Sequence, residues 1–163
     1  MSKASRSRRS RTQSSRTEPS RPARPAPAPA PAPTDPAVPC PCGRAESYGD
    51  CCGRFHRGDA SAPTAERLMR SRYCAFVVLD VPYLLRTWHP SARPADLDLD
   101  PAVRWTGLDI LRTEGGSAFH QEGVVEFRAH YVHEGEADSQ HEVSRFVRVD
   151  GQWTYLDGQN SGS

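Results

Sequence analysis

The sequence predicts an α+β protein in which a short zinc-knuckle module precedes helices packed in a curved antiparallel sheet. Three observations predict it. Four cysteines fall within the thirteen positions of "CPCGRAESYGDCC", residues 40 to 52. Apolar residues then recur at helical spacing from Pro63, and after Pro101 they alternate in short runs separated by turn residues. Helices followed by several strands fit one sheet wrapped over those helices.

The chain begins differently. From Met1 to Pro39 there are eight Lys or Arg, two acids and nine prolines, with no apolar side chain larger than Val38 after the first residue. Such a stretch cannot bury a core, so residues 1–37 are expected to form a disordered tail, basic at first and then Pro/Ala-rich and extended. The rest carries 13 basic and 18 acidic side chains, a sign that gives no support to nucleic-acid binding as its main task and leaves non-specific contact through the tail. No run approaches the roughly 18 apolar residues of a membrane span, and no apolar segment follows the basic start. A soluble, cytoplasmic protein without a membrane partner is the expectation, and in that compartment clustered thiols bind metal more often than they form stable bridges.

The module is expected over residues 38–58. Its spacing, Cys40-x-Cys42, eight residues, then Cys51-Cys52, supplies the four thiolates that a closed structural Zn2+ site requires. Pro39 and Pro41 stiffen the first arm, while Gly43 lets the backbone fold back under the sulfurs. Metal: Cys40, Cys42, Cys51 and Cys52 is therefore the expected set, with His56 competing with Cys52 for the last place. Redox or nucleophilic use is the minor alternative. A chelator should melt such a loop, which has little core of its own.

The second domain is expected over residues 62–159. Thr64 can cap a helix that carries Leu68, Tyr73, Ala75, Phe76 and Leu79, and Pro82 ends it or opens the next. Cys74 reads as a small buried hydrophobe. A second, short helix carries Leu84, Leu85 and Trp88 and stops before Pro90. In "VVEFRAHYV", Val125, Phe127, Ala129 and Tyr131 share one side, so one sheet face is buried and the other wet. Asp150 and Gly151 mark a tight hairpin between the last two strands.

The stretch from Cys40 to Gly53 resembles the SEC-C motif, a small zinc-binding module, through Cys40, Cys42, Gly43, Tyr48, Cys51, Cys52 and Gly53. Beyond it, "LMRSRYCAF", "YLLRTWHP", "WTGLDIL", "GVVEFRAHY", "HEVSRFVR" and "GQWTYLDG" follow in the order seen in the YchJ family. That resemblance covers about residues 38 to 159. It implies a cone-like domain similar to nuclear transport factor 2, and it brings no activity with it.

Folds of this kind often enclose a pocket between sheet and helices. The candidate binding residues are Tyr73, Trp105, His141, Arg145 and Tyr155, with His141 and Arg145 read as sharing a face and Glu142 as projecting to the other side. No nucleophile elbow, phosphate loop or dinucleotide fingerprint occurs, so no catalytic residue is assigned. The function expected is a zinc-binding protein whose module is a structural or protein-recognition knob on a domain that binds a small ligand or a protein. The alternative is a small enzyme with an acid-base site in the cone. A homodimer through the outer sheet face is a further partner expectation.

Overall fold

The computed structural model describes residues 35–160, so the expected tail lies almost wholly outside the described residues. The knuckle is a short loop closed on itself. Tyr48 donates its backbone N–H to the Val38 carbonyl at 2.7 Å, Cys40 to Glu46 at 3.1 Å, and Gly43 turns the chain at φ +89°. Helix α1 (Cys52–His56) follows. Gly53 is required at its start, because a Cβ there would lie 2.7 Å from the Tyr48 carbonyl oxygen.

Helix α2 (Ala65–Val78) begins at Thr64, whose hydroxyl accepts the Arg67 N–H at 3.1 Å. Removing this cap in Thr64→Ala should cost about 1 kcal/mol. A lowered urea midpoint at unchanged slope is the expected readout. Leu79 ends the helix in the left-handed conformation, and Asp80 caps α3 (Val81–Arg86), accepting the Tyr83 N–H at 3.1 Å. Pro82 sits in the first turn of α3, where its missing N–H costs nothing. Trp88 therefore lies just beyond the second helix, where the chain pairs with the sheet edge: His89 donates to the Tyr155 carbonyl at 2.7 Å and Tyr155 to Thr87 at 2.8 Å.

The sheet is an antiparallel meander of β1 (Arg104–Gly115), β2 (Glu122–His133), β3 (Glu136–Val149) and β4 (Gln152–Asn160), in that spatial order. Two hairpins have positive φ at both central residues, Glu134-Gly135 and Asp150-Gly151, the conformation whose twist matches paired strands. Register irregularities at Trp105/Gly107, Ile110/Arg112 and Arg145/Phe146 bend the sheet around α2. Its inner face carries Val125, Phe127 and Ala129 on β2, each buried as expected, with Tyr131 half-buried at the end of the row.

On β3 the expected pocket face is corrected. Phe146 has no exposed surface and fixes the strand's phase, and the two-residue period then takes Ser144 and Glu142 inward with it. His141 and Arg145 take the outer face, where His141 Nε2 lies 2.8 Å from Glu126 and Arg145 pairs with Asp157. Val143 and Val147 share that outer row and lend it an apolar look in the sequence.

The knuckle and the cone share one core. Cys40, Cys42, Cys51 and Cys52 pack in a continuous cluster with Leu68, Met69, Tyr73 and Cys74 of α2 and with Val125, Phe127 and Phe146 of the sheet.

Candidate metal centre and cone cavity

Helix α2 presents a stripe at Arg67, Arg70, Ser71 and Cys74, three or four residues apart, and this stripe faces the knuckle. Arg70 donates to the Cys42 carbonyl at 2.7 Å, and Arg67 Nη2 lies 4.0 Å from Cys51 Sγ. Cys74 reaches deepest. Its Sγ is 3.6 Å from that of Cys40, and the sulfurs of Cys40, Cys42, Cys52 and Cys74 all lie within 4.8 Å of one another. All four residues are buried, and none is in a disulfide.

A tetrahedral zinc site with arms of about 2.3 Å has sulfur–sulfur edges of about 3.8 Å; the Cys40–Cys74 separation is close to that, and the remaining pairs lie within 4.8 Å. The four thiols do not ionise independently. The thiols of Cys40, then Cys52 and Cys74, push the Cys42 thiol far down, while contacts with Cys40 and then Cys42 and Cys74 push that of Cys52 far up. One sulfur gains its charge at a neighbour's expense. Only a bound cation lets four such buried groups ionise together. Arg67 and Arg70 lie beside the cluster, where they would offset the net negative charge of four thiolates around a divalent ion.

The set brought together differs from the expected one by a residue. Cys51 lies beside the group, its Sγ 3.7 Å from Cys42 and 3.9 Å from Cys52, but it is outside the mutually close four, and burial pushes its thiol up to about 12. His56 is occupied elsewhere. Its Nε2 lies 2.8 Å from the Ser71 carbonyl, which can only accept, so that nitrogen carries the proton and Nδ1 accepts from the Tyr48 hydroxyl at 2.7 Å. Burial lowers the His56 pKa and keeps the ring neutral. Cys74 was legible only through the stripe at 67, 70, 71 and 74, since a thiol among Ala75, Phe76 and Val77 otherwise looks like packing.

Behind α2 the inner face of the sheet lines a partly open cavity of about 130 Å³. Of the five expected binding residues, Tyr73, Trp105 and Tyr155 line it, whereas His141 and Arg145 stand on the outer face. Burial raises the Tyr73 and Tyr155 hydroxyls well above their ordinary pKa. Among the other lining residues are Arg72 and Trp88, neither of them expected there, and Glu142, expected on the opposite side of its strand. Glu142 accepts from the hydroxyls of Ser144 at 2.6 Å and Tyr155 at 3.0 Å, and from Gln140 at 2.9 Å. Arg72, only 4% exposed, lies over the rings of Trp88 and Tyr155, and burial pushes its pKa down to about 10. A Glu between His141 and Val143, and an Arg inside a helix, are ordinary surface residues by type. Only the phase of β3 and the angle of α2 turn them inward.

Among the described residues, no helix is long and apolar enough to cross a membrane. Residues 38–54 match the model of the SEC-C motif, and residues 64–158 match that of the YchJ middle NTF2-like domain. A UPF0225 protein of Streptomyces coelicolor is 67% identical over 124 residues, covering 76% of this chain and 97% of the relative. A UPF0225 protein of Deinococcus radiodurans is 49% identical over 123 residues, covering 75% and 89%. Among solved structures, a SEC-C motif containing protein from Rhodopseudomonas palustris superposes with a TM-score of 0.68 at 31% identity, covering 77% of this chain and all of that one. Another, from Psychrobacter arcticus, gives 0.64 at 28% identity, covering 78% and 85%. With the motif ahead of the cone-like domain and these relatives matched over most of their length, the chain belongs to the YchJ family of UPF0225 proteins.

Proposed function

We propose that the protein is a zinc-fastened binding protein, with one structural Zn2+ held by Cys40, Cys42, Cys52 and Cys74 and a small-ligand site in the cone. The observation that carries the metal reading is the convergence of four buried, unbridged sulfurs from two parts of the chain. Cys74 belongs to the helix of the cone, so the ion ties the knuckle to the domain it precedes. A four-thiolate site leaves no open position for substrate, which makes the metal's role structural. The small-ligand role draws its support from the cavity and its buried polar residues.

Metal analysis of purified protein tests the first half. One zinc per chain is expected in the wild type and in Cys51→Ser, and loss of that zinc in Cys74→Ser. Retention in Cys74→Ser together with loss in Cys51→Ser would return Cys51 to the coordinating set. A folded wild type that takes up no zinc would end the proposal.

A further inference from the structure

We propose that the cone cavity binds a single-ring carboxylate, with its anionic end on Arg72 and Trp88 and its ring among the aromatic residues. This rests on the reading of the cone as a small-ligand site and names the ligand's chemistry.

Two unsatisfied donors mark the anionic end. Arg72 is almost wholly buried, yet among the described residues its hydrogen bonds run through Nη1 alone, to the Leu84 carbonyl at 2.8 Å and the Thr87 hydroxyl at 2.7 Å. Both acceptors are neutral, and its Nε–H and Nη2–H groups have none. Glu142, the opposite charge in the same cavity, acts on Arg72 without a direct hydrogen bond; burying a guanidinium with no anion in contact is costly, and an anion seated on it offsets that cost. The second donor is Trp88 Nε1–H, a buried group with no partner among the described residues. Trp88 and Arg72 are in face-to-cation contact, 5.2 Å from guanidinium carbon to ring centre, and both line the cavity. A carboxylate has two oxygens and serves two such donors at once.

Size and walls set the rest of the ligand. The cavity is about 130 Å³. An apolar cavity of about 150 Å³ holds benzene, so this cavity, slightly smaller but partly open, is at the scale of a single ring. Phe76, Trp105 and Phe127 supply flat apolar surface around it. The cavity's one acidic residue, Glu142, is held by donors from Ser144, Tyr155 and Gln140. Tyr155 stands between that carboxylate and Arg72, with its ring 4.6 Å from the guanidinium carbon. The anion is thereby directed to the Arg72 and Trp88 side.

Benzoate is the probe, titrated into the full-length, zinc-loaded protein while the indole N–H signals are followed by NMR. Trp88→Phe, which keeps a ring in place, identifies the Trp88 signal. On adding benzoate that signal should move. The signal of Trp153 should stay, because its N–H already donates to the Pro63 carbonyl at 3.2 Å. Benzoate should bind about tenfold or more tightly than benzylamine, which carries the opposite charge, as one charge-assisted hydrogen bond implies. Trp88→Phe should weaken benzoate while leaving its zinc content unchanged. A Trp88 signal unmoved at saturating benzoate, or benzylamine binding equally well, would overturn the inference. Zinc measured on the same sample keeps the metal reading separate from this outcome.

Discussion

Stripping zinc with a chelator is expected to unfold the knuckle and lower the melting temperature of the whole protein, because the cysteines belong to the same core as the cone. Metal-linked folding energy in small thiolate sites is on the order of 10 kcal/mol. Cys52→Ser and Cys74→Ser should each remove most of it, leaving three buried thiols around a vacant centre. Cys51→Ser should cost only about 1–2 kcal/mol, the ordinary effect of altering a buried side chain. Melts of the three variants with and without chelator make the comparison. Cys51→Ser and the wild type should respond to the chelator, whereas Cys52→Ser and Cys74→Ser should already sit near the stripped baseline. A wild-type melt unchanged by the chelator would contradict the expectation.

Phe146→Ala is expected to have the next largest effect. Phe146 has no exposed surface, lies at the β3–β4 register irregularity and meets Tyr155 edge-on with ring centres 5.8 Å apart. Its loss leaves a void between sheet and α2 that the surrounding strands cannot close, at a cost of about 3–5 kcal/mol. Urea unfolding should show this as a lower midpoint while one zinc per chain is retained. A shift below about 1 kcal/mol would mean that Phe146 does not anchor the inner face.

Much of the architecture was legible because it rests on local chemistry. Thr64, Pro82 and the Asp150-Gly151 pair act within a few residues of themselves, and each does in the structure what its side chain or backbone freedom suggests. The inward row of β2 was equally plain, since Val125, Phe127 and Ala129 alternate with charged or polar neighbours. On β3, by contrast, both rows mix apolar and polar residues, so Val143 and Val147 compete with Phe146 as a guide to phase. Tertiary packing decided for Phe146, and with it exchanged Glu142 for His141 as the residue facing the cavity. The sulfur cluster was half legible. Three of the four mutually close sulfurs come from the knuckle segment, where spacing is informative, and the fourth comes from α2, 22 positions beyond Cys52, where only its place on a helical stripe marks it.

Arg72, Tyr73 and Cys74 are consecutive on α2, yet two of them line the cavity and the third joins the sulfur cluster. One helical turn is thus a shared lever with a load at each end. If losing the ion shifts this turn, the cavity changes shape with it, and thermodynamic reciprocity requires that an occupant of the cavity alter the grip on the ion by the same factor. Metal and ligand would then report on each other across the width of one helix.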